Sequence, residues 1–428
     1  MSKNYISIWI NIMTRVISVS IESWSEFSIK DICINISSGG TPSRKVPEYY
    51  LNGVHKWIKT QELKDCNIYD TDEHITDAAL KNSSAKIYPK NTISMAMYGA
   101  TVGKLGIMKS ECATNQACCN MVVDSTKADY RFLFYSLLYR REELIGLASG
   151  AAQQNLNVGV ISNFRINLPT LSEQKVIAAT LSVLDDMIEL NNQINKTLED
   201  MAQAIFKSWF VDFEPFKDGE FEESELGLIP KGWRVGVLED IAFINTETIN
   251  PQNYPETFFE HFSIPLFDEG KFSAFEKGEV IKSNKYVIDS SCMLFSKLNP
   301  QFKRVFRPFC KTSKAICSTE FMVYKAKKPI YNNYIYSTLC SGSFHQFVMQ
   351  NVTGTTNSRQ RAIPKNTLNF KMLIPDENAL SSYNQIISGI FNIMQRIPED
   401  NKLLSSIRDT ILPKLMSGEI RVPVEEVV

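Results

Sequence analysis

Cations without neighbouring acids are the residues of this chain best placed to do chemistry. Between Ala78 and Ser110 stand Lys81, Lys86, Lys90, Lys104 and Lys109, with no Asp or Glu among them. Between Ser296 and Lys314 stand Lys297, Lys303, Arg304, Arg307, Lys311 and Lys314, and between Gly354 and Met372 stand Arg359, Arg361, Lys365 and Lys371, again without an acid. Lysine and arginine grouped in this way fit a polyanionic partner held through phosphate oxygens. The opposite excess lies in one place, Asp212 to Glu225, where Asp212, Glu214, Asp218, Glu220, Glu222, Glu223 and Glu225 face only Lys217. The 428-residue chain has a formal net charge of −1, so the distribution and not the total carries the indication.

Other chemistries lack their residues. No phosphate-cradling Gly-rich loop with its Lys appears, no GxGxxG follows a strand, and there is no HExxH or GxSxG. The nine cysteines include no CxxC and there are four histidines, which argues against zinc and leaves reduced cytosolic thiols as the expectation. Asn299-Pro300-Gln301-Phe302 is similar to the Asn-Pro-Pro-Tyr/Phe motif of amino-methyltransferases. The second proline is missing and no glycine-rich cofactor loop precedes it, so a turn in a basic loop is the reading. A chain of this size without a catalytic constellation reads as a binding or scaffolding protein.

The elements that must position these cations repeat. Asn163-Phe164-Arg165-Ile166-Asn167-Leu168-Pro169 returns as Asn369-Phe370-Lys371-Met372-Leu373-Ile374-Pro375, and Trp24 with Asp31-Ile32 matches Trp233 with Asp240-Ile241. A period above 200 residues marks a duplicated module, not a solenoid. Each module opens with short β-like runs broken by Gly-rich turns, which predicts an α/β globule. Residues 173–210 follow without Gly or Pro, with Leu181, Leu184, Ile188, Ile194, Leu198, Met201, Ile205 and Trp209 spaced as a helix seam. Ser172 is the expected N-cap, and the helix would extend about 57 Å at 1.5 Å per residue. Asn191 and Asn195 lie near the seam, where a buried amide can fix register. In the second copy Pro398 stands where Asn192 stands in the first, so two helical pieces are expected, about 380–396 and 400–416. Residues 1–22 precede the repeat as an extension, too short and too polar to span a membrane.

Five strings carry a family resemblance. Leu168-Pro169-Thr170-Leu171-Ser172-Glu173-Gln174, then Phe206-Lys207-Ser208-Trp209-Phe210-Val211-Asp212-Phe213-Glu214-Pro215, and Glu223-Ser224-Glu225-Leu226-Gly227-Leu228-Ile229-Pro230-Lys231-Gly232-Trp233 resemble the central region of type I restriction–modification specificity subunits. Arg408-Asp409-Thr410-Ile411-Leu412-Pro413-Lys414-Leu415-Met416-Ser417-Gly418-Glu419-Ile420 resembles the family's distal region, and Ser37-Ser38-Gly39-Gly40-Thr41-Pro42 an opening of its first recognition domain. The resemblance implies a mixed α/β fold with two target recognition globules in pseudo-two-fold arrangement, separated by two long antiparallel helices forming a coiled coil. It divides the chain into an extension (1–22), a first recognition domain (23–171), a central spacer (172–222), a second recognition domain (223–375) and a distal spacer (376–428). The implied partners are double-stranded DNA, methyltransferase subunits and restriction/translocase subunits, in the cytoplasm. S-adenosylmethionine, ATP and Mg would sit on those partners, and the chain itself would need no cofactor or metal.

Reading bases takes donors and acceptors on loops that follow a groove, with cations on phosphates. In the first module the candidates are Ser43, Arg44, Lys45, Lys59, Thr101, Lys104, Gln153, Gln154 and Asn155. In the second they are Lys297, Asn299, Lys303, Arg304, Asn357, Arg359, Gln360 and Arg361, with Arg359 and Arg361 placed to be bidentate to guanine or to hold phosphate. The repeat pairs Gly150–Asn155 with Thr353–Arg361 as equivalent readers. Ile177, Met187, Phe206 and Phe210 exceed what one helix seam buries and are the candidate partner-binding set. The alternative is a protein-interaction scaffold built on the paired helices, with globules that bind something other than DNA.

Overall fold

The computed structural model describes residues 24–147, 155–353 and 360–422. The chain forms two compact units: one of residues up to Asp186 together with those from Ser405 onward, the other Met187–Leu404.

The first unit begins with Ser25–Ser28, paired antiparallel with Arg165–Leu168. Its larger sheet has five strands in the order Cys33–Ser38, Cys118–Val123, Ile93–Ala96, Leu105–Met108, Cys66–Ile68. The three central strands are almost wholly buried, so they read as continuous apolar runs instead of alternating ones. A second sheet of four short strands centres on His55–Ile58 and Cys112–Thr114. Burial pushes the Cys118 and Cys119 thiols up to about 12, which leaves them unreactive core side chains.

The second unit is built on the same plan. Arg234–Val237 pairs with Lys371–Ile374. Four strands then run in the order Ala242–Asn245, Phe321–Ala326, Met293–Ser296, Val305–Phe306, matching four of the first unit's five. The sequence repeat is therefore the strand pair that closes each globule: Ser25 opposite Leu168 becomes Arg234 opposite Ile374. A further five-stranded sheet centres on Ala315–Ser318.

Two helices of 40 residues, Leu171–Phe210 and Glu377–Met416, each contribute to both units. The first helix starts two residues earlier than expected, because Thr170 and not Ser172 accepts from the Glu173 N–H, at 3.3 Å. Buried Gln174 ties this start to the globule, accepting from the Asp129 N–H and donating to the Pro169 carbonyl, both at 3.0 Å.

Within the first unit the helices run antiparallel. Arg408 donates to Asp185 at 2.5 Å and Arg421, in the segment that follows the second helix, to Glu173 at 2.6 Å, so residue number falls on one side as it rises on the other. Tyr135 completes the buried cluster by donating to Asp185 at 2.6 Å. Within the second unit the helices are antiparallel too. Asn191 donates to Asn401 at 2.8 Å, Asn401 donates to Asn192 at 2.9 Å, and Phe210 lies 4.8 Å from Tyr383 between ring centroids. Of the two expected register amides, Asn191 is the one that makes this cross-helix bond, whereas Asn195 donates to Glu199 on its own helix. Ile194 and Met201, expected in the seam, point outward, while Ala202 is buried.

The second helix is continuous through Pro398, against the expectation of two pieces. Proline removes one N–H, the one that would bond the Met394 carbonyl, but the next turn is held from outside the helix. Glu399 pairs with Lys311, Asn401 with the asparagines opposite, and Lys402 with the Ser273 carbonyl. No helix among the described residues is long and apolar enough to cross a membrane.

Asp185 and Arg408 are both mostly shielded from solvent, so removing one leaves the other poorly solvated. Arg408→Ala is expected to destabilise the protein by about 1–3 kcal/mol in urea titration, and Asp185→Ala/Arg408→Ala by less than the sum of the single changes. Strict additivity would show that the pair does not hold the helices in register.

Candidate nucleic-acid interface

In the first unit three segments leave the larger sheet at one end. Ser38 pairs with Cys119 and Cys118 with Ala96, so the chain at 39–46, 97–104 and 115–117 emerges at one level. The first segment is fastened along its length. Gly39 N–H donates to the Cys118 carbonyl at 3.2 Å and Gly40 N–H to the Thr114 carbonyl at 2.9 Å. The Trp57 indole N–H reaches the Gly40 carbonyl at 3.0 Å, and the Tyr50 hydroxyl the Pro42 carbonyl at 2.7 Å. A Cβ on Gly39 would stand 2.3 Å from the Thr114 carbonyl oxygen, and one on Gly40 2.3 Å from the Ser84 carbonyl carbon. Glycine is required here by the close approach of other backbone. Ser43, Arg44 and Lys45 are exposed on this segment.

The second segment is the turn between Ile93–Ala96 and Leu105–Met108, carrying Thr101 and Lys104. The Leu156 N–H donates to the Met97 carbonyl at 2.7 Å, which brings Asn155 to the base of this turn. Gln153 and Gln154 lie outside the described residues.

The second unit repeats the arrangement. Val323 pairs with Asn245 and Phe321 with Ser296, so the turn 297–304 and the approach to Glu320 share the corresponding end of the sheet. Ala362 N–H donates to the Lys297 carbonyl at 2.9 Å, just as Leu156 does to Met97, and Asn299 N–H to the Gln360 carbonyl at 2.8 Å. The two loops that the repeat pairs in sequence thus end on equivalent turns. Asn299 adopts the left-handed conformation, φ +48°, and its side-chain oxygen is buried without a hydrogen-bond partner among the described residues. Asn357 and Arg359 lie outside the described residues.

Acids from elsewhere in the fold meet five of the eight described candidate cations, Arg44, Lys59, Lys104, Arg304 and Arg361. Glu73 accepts from Arg44 at 2.5 Å on one oxygen and from Lys59 at 2.7 Å on the other. Asp65 bonds Lys104 at 2.8 Å and also Arg141. Asp268 takes both Nε and Nη2 of Arg304, at 2.6 and 2.8 Å, and Glu320 both Nε and Nη2 of Arg361, at 3.1 and 3.0 Å. Lys303 donates to the Cys340 carbonyl. Lys45 and Lys297 have no ion-pair partner among the described residues. Within the three acid-free stretches Lys104, Arg304, Lys311, Arg361 and Lys371 are thus paired with acids from elsewhere, and Glu73, Asp65, Asp268 and Glu320 join the site. The Arg44 hydrogen bond is the main reason the Glu73 carboxyl is held below its ordinary range, and the same bond raises the Arg44 guanidinium.

On the helices, Ile177 is 0% exposed and Phe210 is buried against Tyr334, 4.6 Å between ring centroids, so both are core residues and not partner surface. Phe206 is half-buried, stacked between Phe210 and Tyr334. Met187 is exposed, and Leu190, Ile194 and Met201 continue its row at helical spacing within the second unit, with Ile386, Ile393 and Leu403 exposed on the other helix.

Residues 21–200 match the model of the type I restriction modification DNA specificity domain. The chain is similar to the type I restriction enzyme MjaIX specificity subunit of Methanocaldococcus jannaschii, 29% identical over 417 residues that make up 94% of each protein. It is 25% identical to the HindI specificity subunit of Haemophilus influenzae over 334 residues, 61% of this chain and 70% of that relative. Its fold resembles the crystal structure of the S subunit of a type I restriction–modification system from M. genitalium, with a TM-score of 0.56 at 16% identity, covering 93% of this chain and 98% of that one.

The fastening of 39–46 has a direct test. Gly40→Ala is expected to cost about 1–3 kcal/mol through overpacking, read as a lowered Tm, whereas Ser43→Ala on the exposed tip should leave Tm unchanged. Acid should loosen the same corner. Because the folded Glu73 carboxyl titrates lower than an ordinary one, its contribution is present above the usual value of 4.5 and is lost as pH falls below it. Glu73→Gln should therefore shallow the acid limb of a Tm-against-pH curve, and an unaltered limb would remove Glu73 from the account.

Proposed function

We propose that this chain, which belongs with the type I restriction–modification specificity subunits, is the component through which such a complex recognises a bipartite DNA target. The observation that carries the reading is the duplicated arrangement: two units of one plan, each with a strand-end turn, at Met97 or Lys297, that accepts from a residue arriving beside it, Leu156 or Ala362. Each face reads one half of the target, by base edges in the major groove and by phosphates beside it. The length of the paired helices sets the gap between the halves.

The chain itself is non-catalytic in this reading. Methyltransferase subunits dock along the exposed apolar rows of the helices, and restriction/translocase subunits join that assembly. S-adenosylmethionine, ATP and Mg belong to those partners, in the cytoplasm. An apolar row at helical spacing left open beside a completed helix seam is the feature that supports docking here.

Exchanging residues 231–375 for the same domain of a relative should change one half of the methylated motif, with the other half and the gap retained, in methylome sequencing of cells carrying the exchanged gene. A change in both halves would contradict the division. Leu190→Glu/Ile194→Glu should abolish co-purification with the methyltransferase subunit while circular dichroism and Tm stay near wild type, and an intact complex would exclude this face as the docking site.

A further inference from the structure

Arginine recognises guanine with two parallel N–H groups on one edge of its guanidinium, aimed at O6 and N7. An edge already matched to a carboxylate has first to give up two charge-assisted hydrogen bonds. This separates the described arginines of the recognition faces. Arg361 has Nε and Nη2 on the two oxygens of Glu320, and Arg304 has them on the two oxygens of Asp268. Arg141 has Nε on the Gly103 carbonyl at 3.0 Å and Nη2 on Asp65.

Arg44 is different. Its Nη1 bonds one oxygen of Glu73 at 2.5 Å, and its Nε and Nη2 make no hydrogen bond to the described residues. The guanidinium lies 4.2 Å from the centroid of the Tyr50 ring and 5.1 Å from that of Trp57, and the side chain is 53% exposed. Both aromatic residues also hold the backbone of the same segment, at Pro42 and Gly40. Lys59, at 2.7 Å, fixes the other oxygen of Glu73. The group is thus fixed by one nitrogen and by stacking while one edge stays open, so little side-chain freedom is left to lose on binding.

We infer that Arg44 is the guanine-reading residue of the first unit, set in place by Glu73, Tyr50 and Trp57, and that it engages O6 and N7 of one guanine through Nε and Nη2. The inference rests on the reading of the chain as a DNA specificity subunit. Glu73 favours a base over a phosphate as the acceptor pair. A carboxylate bonded to the same guanidinium repels a phosphate, whereas it can accept from the N4 amine of the cytosine paired with that guanine. Glu73 and Lys59 are positioning residues in this arrangement.

The experiment uses the full chain in complex with its methyltransferase subunit, and duplexes of the motif found by methylome sequencing. If no methylated motif depends on the chain, the reading as a specificity subunit fails before Arg44 is tested. Given a motif, 7-deazaguanine, which lacks the N7 acceptor, should weaken wild-type binding about tenfold or more at one guanine of one half. The same substitution should leave Arg44→Ala unaffected. Arg44→Ala and Arg44→Lys should bind the intact motif about tenfold to a hundredfold more weakly and methylate sites relaxed at that position only. Glu73→Gln, which keeps the shape and removes the charge, should give a smaller loss at the same position. Indifference to 7-deazaguanine at every guanine of both halves would overturn the assignment. So would an Arg44→Ala complex of unchanged Tm that weakens alike on all sequences, which is the behaviour of a phosphate contact.

Discussion

Antiparallel contact between the two long helices is the constraint on which the other parts depend. Helices of 40 residues gain little from propensity alone in water, and they persist because each lays a face on the other and on a globule. Apolar packing tolerates a slip of one turn, whereas directional polar contacts do not. The Asp185–Arg408 pair in one unit and the Asn191–Asn401–Asn192 set in the other supply that direction. Around Phe210 the second unit adds an aromatic cluster with Tyr334, Tyr383 and Trp233, which fixes the helix to its globule.

Much of this was legible in sequence because the chain contains one solution twice. The segment around Arg165–Leu168 and its repeat Lys371–Ile374 close the two globules against Ser25–Ser28 and Arg234–Val237, and conserving that pairing constrains the residues on both strands. The residues that follow the two loops paired in sequence, Leu156 and Ala362, donate to equivalent strand-end turns at Met97 and Lys297. The helix through Pro398 was not legible, because one missing N–H is a local deficit and the compensating contacts come from Lys311, Asn191 and Ser273. Ile177 and Phe210 were misread as surface because a helix seam drawn for two helices omits the globule that each helix also touches.

The charge pattern misled in a more instructive way. A stretch can lack acids along the chain and still face them in space. Asp65 lies 39 residues from Lys104, Asp268 lies 36 from Arg304, and Glu320 lies 41 from Arg361, all beyond any window in which sequence charge is counted. What the fold builds from these separated residues is a set of oriented cations instead of a field of positive charge. Exposed pairs of this kind add little to stability, so their consequence is geometric: they decide which way a guanidinium points and which of its edges is available.

If the chain recognises DNA as proposed, the carboxylates beside these cations would also bear on how it searches. Affinity for arbitrary duplex comes chiefly from small ions expelled when cations settle on phosphates. If Lys104 left Asp65, or Arg361 left Glu320, to meet DNA, the stranded carboxylate would recruit an ion of its own and the net release would fall. On the proposed reading, such a surface would adhere weakly to bulk DNA and dwell where base edges replace the lost carboxylate bonds. A specificity subunit that must inspect a whole chromosome without becoming trapped on it has use for that restraint.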